Sequence, residues 1–144
     1  GSVVRPYPIF QQGGAYFSVP DFLNSAHTIK TSADADAYLA RLEAFARVLD
    51  EETAEQRAQA ARGFLAPAWS LDLTLVQMRN LREPAPAAST MVTSLVNRAR
   101  AANVTGDWQA RATRIVADKV YPALDRQIAA IQALKPSTRA GDGA

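Results

Sequence analysis

TSADADAYLARLEAFARVLD, residues Thr31 to Asp50, is the stretch that decides the fold. Its first four residues have the capping-box pattern: Thr31 is placed to accept from the amide three residues on, and Asp34 to reach back. Ala35, Tyr38, Leu42, Phe45 and Leu49 then recur in steps of three and four, which gathers them on one helical face. Neither proline nor glycine interrupts before Gly63, a natural left-handed stop. The spacing predicts a helix of about 32 residues, ~48 Å at 1.5 Å per residue. A compact chain of 144 residues has a radius of gyration of only ~14–15 Å, so this helix is expected to overhang. Its large apolar residues end at Leu49. Asp50 to Arg62 is charged, polar or alanine, and reads as a solvated extension or as a smooth alanine face for a missing partner.

Working outward, Pro67 opens a second helix to about Arg82. Trp69, Leu71, Leu73, Leu75, Val76, Met78 and Leu81 give it a wide apolar stripe, expected to sit deep in a bundle. Glu83 to Ala87 is a stiff connector, since each proline disfavours helix before it. A third helix is expected from about Ala88 to Ala102, with Met91, Val92, Leu95 and Val96 inward and Asn103 as terminator. Arg98 and Arg100 sit near its negative C-terminal end. The last helical stretch runs from about Asp107 to Lys135, stopped by Pro136. Pro122 inside it predicts a kink or break around Asp118 to Tyr121.

On the N-terminal side, residues 1–30 read as an extended arm plus a short helix over Pro20 to Ala26. Val3-Val4, Ile9-Phe10 and Tyr16-Phe17 alternate with breakers, and Gly13-Gly14 suggests a short hairpin. Residues 137–144 read as a flexible tail. The fold expected is all-α: an up-and-down bundle of four to five helices over residues 31–136 with an irregular N-terminal arm.

The size suits one domain able to bury a core without staples. Apolar residues make up 48% and charged residues 21% of the chain, which excludes a wholly disordered polymer. No apolar run is long enough to span a bilayer. A formal net charge of +2 gives no field for nucleic acid, and Asp107, Asp118 and Asp125 interleave with Arg98, Arg100, Arg111 and Arg114. There is no cysteine and one histidine, His27. That excludes a thiolate nucleophile and the multi-histidine sites of catalytic zinc within these residues. Gly13-Gly14 lacks the Lys-Ser/Thr of a phosphate loop, and no serine sits in a nucleophile elbow.

The remaining candidates read as ordinary structure. Asp34 and Asp36 point to different sides of a helix, and Glu43–Arg47 is an i,i+4 ion pair. Asp50, Glu51, Glu52 and Glu55 form an acidic patch expected to be a solvated face. Trp69 and Trp108, at helix starts among apolar neighbours, are expected in the core. His27 reads as a helix-end residue bonded to backbone or facing solvent. The catalytic set is therefore empty. The start, Gly1-Ser2-Val3-Val4, shows neither an initiator methionine nor a signal peptide, and both ends are expected to be those of a piece of something longer.

Several runs, in order, resemble one bacterial family. Gly14-Ala15-Tyr16, Val19-Pro20-Asp21-Phe22-Leu23, His27, and Ala33-Asp34-Ala35-Asp36-Ala37-Tyr38-Leu39-Ala40-Arg41-Leu42 are similar to its N-terminal stretch. Thr90-Met91-Val92-Thr93-Ser94-Leu95 and Val120-Tyr121-Pro122-Ala123-Leu124-Asp125-Arg126-Gln127 continue the likeness, which spans roughly residues 3–135. The family is domain of unknown function 885 (DUF885). The resemblance implies a parent several times longer, exported to the periplasm or cell envelope, often as a lipoprotein, and related to zinc metallopeptidases. Its metal motif, a His-Glu followed by Gly-His-His, would lie far downstream. The resemblance thus implies zinc in the parent and no cofactor in these residues. Two functions follow as expectations. In the first, the chain is a non-catalytic helical wall of a substrate cleft, partnered by the remainder of the parent, with Tyr16, Phe17 and His27 reaching into the cleft. In the second, it is a stand-alone interaction module that pairs through the alanine-rich half of its long helix; self-association is expected of a fragment of a larger core and a cooperative monomer of a true module. Neither involves nucleic acid or a membrane span.

Overall fold

Thr31 caps the first helix as the sequence requires. In the computed structural model, which describes residues 28–64 and 66–141 with the side chains of 136–141 excepted, its hydroxyl accepts from the Asp34 amide at 3.3 Å. Asp34 answers by accepting from the Thr31 amide at 3.1 Å. Helix α1 runs from there over Ser32–Ala61. It ends in a Schellman turn: Gly63, at φ 89°, donates to the Ala60 carbonyl and Phe64 to the Gln59 carbonyl. Helix α2 is Ala68–Arg82, followed by a 3₁₀ turn at Pro86–Ala88. Helix α3, Thr90–Ala101, is capped by the buried Ser89 hydroxyl on the Met91 amide. It closes with a second Schellman turn, in which Asn103 takes φ 60° and Val104 donates to the Ala99 carbonyl. Helix α4, Trp108–Ile115, passes through a π turn at Val116–Val120 into helix α5, Tyr121–Gly141. No strand occurs among the described residues.

Ion pairs fix the directions of the helices. Asp36 meets Arg111 at 3.1 Å, Glu43 meets Lys119 at 3.2 Å, and Asp50 meets Arg126 at 2.8 Å. Both partners climb the sequence together, so α1 runs parallel to the α4–α5 rod. Arg82 with Asp125, and Asp72 with Lys135, climb in opposite senses, so α2 is antiparallel to α5. Tyr38 donates 2.7 Å to the Met91 carbonyl, and residues 102–107 turn α3 back onto α4. Helix α2 thus descends beside α5 and α3 packs on α4, so the α4–α5 rod is the central element, with α1 and the α2–α3 column packed against it. The bundle is up-and-down as expected, in three columns. We call the end where α1 begins the lower end.

The π turn sits where Pro122 predicts a disturbance. Pro122 has no amide for the Asp118 carbonyl, and the widened turn, with Tyr121 donating to Val116, removes that need. One extra residue enters the rod. The sequence offset between paired residues duly changes from 75 at Asp36–Arg111 to 76 at Glu43–Lys119 and Asp50–Arg126.

Tyr38, Leu42, Phe45, Leu49, Met78, Met91, Leu95, Trp108, Val116, Val120, Leu124 and Ile131 form the core. Ile29, just before α1, is buried with them. Trp108 is held by its indole N–H donating to the Val104 carbonyl at 3.2 Å, as a core tryptophan should be.

Several expectations are corrected. Helix α1 has no overhang, because the α4–α5 rod runs beside its upper half. That half is neither a solvated extension nor a bare alanine face: Glu52, Thr53 and Gln56 are buried there. The acidic patch accordingly splits, with Asp50 on Arg126 and Glu52 inside. Glu43 pairs with Lys119 instead of Arg47, since the rod brings a cation closer than the next turn does. Pro136 does not stop the last helix, which reaches Gly141; a proline forfeits one hydrogen bond but keeps a helical φ. Finally, α2 is not deep in the bundle. Leu71, Leu75 and Met78 are buried, whereas Trp69, Leu73 and Val76 point outward.

Candidate functional site

Tyr16, Phe17 and His27, the residues expected to reach into a cleft, lie outside the described residues, as does the hairpin expected around Gly13-Gly14. Among the described residues no three His, Cys, Asp or Glu side chains stand together to hold a metal. No helix of the described residues is long and apolar enough to cross a membrane. Three other features are candidates.

The first is a hollow of about 430 Å³ at the lower end, where α3 turns into α4. Val96, Ala99 and Val104 give it an apolar floor, and Arg100, Thr105 and Gln109 give it polar edges. Gly106 shapes its wall. A Cβ there would fall 2.7 Å from the Trp108 ring, and the φ of 155° is one that side chains rarely adopt. The Arg111 guanidinium lies over the Trp108 ring, 5.3 Å from its centre.

The second is the polar interior of the upper half. The Gln127 amide donates to the Leu49 carbonyl at 2.9 Å and to the Thr53 hydroxyl at 3.1 Å, tying α5 to α1. Its own carbonyl oxygen meets no donor, and both polar atoms of Gln56 and the Ser70 hydroxyl also stand without a partner. Each such buried group costs about 1–3 kcal/mol unless something completes it.

The third is the outer face of α2. Trp69 is 64% exposed, Leu73 45% and Val76 54%, at i, i+4 and i+7. At 100° per residue these three project opposite Leu71, Thr74, Leu75 and Met78, which α2 buries. Phe64, 66% exposed, follows the α1 terminator at the same upper end. Sequence reasoning finds Trp69, Leu73 and Val76 but puts them inside, because two apolar faces on one helix read as one wide stripe. The signal that separates them is the polar pair Ser70 and Thr74, which bounds the inner face.

Tyr121 illustrates how the middle of the molecule is held. Its hydroxyl donates to the Pro84 carbonyl at 2.7 Å, and Arg82 lies 4.4 Å from its ring centre while gripping Asp125 through two bonds. Burial pushes the Tyr121 hydroxyl up, against a hydrogen bond from Ser89 and the Arg82 charge, which lower it. This is anchorage of the connector, not a reactive centre.

A family model described as "Bacterial protein of unknown function (DUF885)" matches residues 2–144. No curated protein and no solved structure matches the chain.

Proposed function

The chain belongs to the DUF885 family, and on that premise we propose that it is the non-catalytic N-terminal helical portion of an exported, metallopeptidase-like hydrolase, lining part of a substrate cleft. One observation carries this reading. The hollow at the α3–α4 turn lies at the same end as Ile29 and Thr31, the point in the sequence that follows Tyr16, Phe17 and His27. Its size falls in the range of small-molecule and side-chain pockets, apolar with a few polar edges. A single histidine and no cysteine leave the chemistry, and any zinc, to the remainder of the parent.

The test uses the full-length gene product. Peptide hydrolysis should be abolished by chelator and restored by zinc, and Thr105→Trp, which fills the hollow, should raise KM several-fold with kcat little changed. A gene with no His-Glu and His-His cluster downstream, or a Thr105→Trp enzyme with unchanged KM, sinks the proposal.

A second reading, an interaction module, is favoured by the exposed apolar face of α2.

A further inference from the structure

We infer that the outer face of α2 is a self-association surface, on which a second copy of this chain docks its own α2 antiparallel. The inference rests on the interaction-module reading and not on the cleft. It takes the place of the alanine-rich half of α1 as the pairing surface, because α5 is tied to the start of that half by Gln127 on Leu49 and Thr53.

Charge identifies the occupant. Asp72 and Arg79 lie seven residues apart, two turns, on the same flank of the Trp69–Leu73–Val76 stripe. Asp72 bonds Lys135 through Oδ1 and remains about half exposed, so its carboxylate is still open to a second cation. An antiparallel pair related by a twofold axis near the middle of α2 keeps that flank on one side and reverses the order along it. Asp72 of each copy then comes level with Arg79 of the other. The same register interleaves Leu73 and Val76 of one copy with Val76 and Leu73 of the other. Trp69 is carried over the far end of α2, beside the exposed Asn80 and Glu83. A partner lacking this acid-then-base order would leave Arg79 without its counter-charge; a second copy supplies it twice.

One helix on one helix buries less than the ~1,200 Å² of stable complexes. The dimer is therefore expected to be weak, half-formed somewhere between ~10 µM and ~1 mM. The test needs no ligand: sedimentation equilibrium of the purified chain between those concentrations, with Trp69→Asp, Arg79→Glu and Asp72→Lys/Arg79→Glu beside the wild type and far-ultraviolet dichroism to check folding. Concentration-dependent dimerisation is expected in the wild type. Trp69→Asp should weaken it at least tenfold, Arg79→Glu should weaken it a few-fold, and the double charge reversal should restore most of the loss. A chain that stays monomeric throughout overturns the inference. Association unaffected by these changes also overturns it, while leaving the module reading alive through another face.

Discussion

Tyr38 shows how far one buried side chain reaches. Its hydroxyl, donating 2.7 Å to the Met91 carbonyl, joins α1 to α3, and the ring is wholly enclosed. Burial pushes the phenol up to about 12, against a hydrogen bond from Ser94 and the Arg98 charge, which lower it. In the unfolded chain it titrates near 10. Between those values the folded state holds a proton that the unfolded state has lost, so the contribution is complete below pH 10 and is lost as pH rises through 12. The drop amounts to about 3 kcal/mol at most. The unfolding free energy of the wild type from urea titrations should fall over that window, and that of Tyr38→Phe should fall less while starting lower by about 1–2 kcal/mol. Equal pH slopes for the two proteins would remove Tyr38 as the cause. Gln56 makes the opposite case. Both of its polar atoms are buried without a partner, so Gln56→Met, similar in volume, is expected to stabilise by about 1–2 kcal/mol. Destabilisation in the same urea measurement would mean that the amide has a partner worth more than the chain provides.

At the scale of the helix, the two Schellman turns are a matched pair with different residues at the left-handed position. A methyl group added at Gly63 would meet nothing within 4 Å, so only backbone strain opposes it, and Gly63→Ala should cost about 1–2 kcal/mol. Asn103 already bears that strain at φ 60°, and Asn103→Gly should be neutral or stabilise by up to about 1 kcal/mol. Thermal midpoints that move the same way for both would contradict the assignment of these turns. Such terminators are written locally, which is why Thr31, Asp34, Gly63, Asn103 and Pro122 are legible in the sequence. They act within one turn of themselves. What is not legible is what depends on a distant partner. Trp69 and Leu71 look alike in the sequence, and only the position of α5 decides that one is outside and the other inside. Thr53 reads as solvated until Gln127, far along the chain, is brought against it. The hollow at the lower end combines both kinds of signal. Its glycine and asparagine are turn residues visible in the sequence, but its volume exists only once Trp108 has folded over Gly106.

The whole molecule divides by the chemistry of its interior. Below Leu49 the three columns meet through Tyr38, Leu42, Phe45, Met91, Leu95, Val116, Val120 and Leu124, an apolar core in which the Tyr38 hydroxyl is paired. Above it Leu71, Leu75, Met78 and Ile131 continue the apolar core, but Glu52, Thr53, Gln56, Ser70, Thr74 and Gln127 are buried among them, and several of these polar atoms lack partners. The ion pairs along the rods do not compensate, since their side chains are about half exposed and such pairs contribute ~0–1 kcal/mol each. They set the register of the parallel rods more than they stabilise them. Local opening should therefore be easier at the upper end. Amide hydrogen exchange under native conditions is expected to protect α1 from Ala35 to Leu49 and α3 most strongly. Exchange in α1 beyond Glu52 and in the first two turns of α2 should be at least roughly tenfold faster. Gln56→Met should slow that upper group selectively, because it removes orphaned polar atoms without touching the lower core. Uniform protection along α1 would show that the polar interior is as well satisfied as the apolar one, and would take with it the division of the bundle into a firm lower half and a yielding upper half.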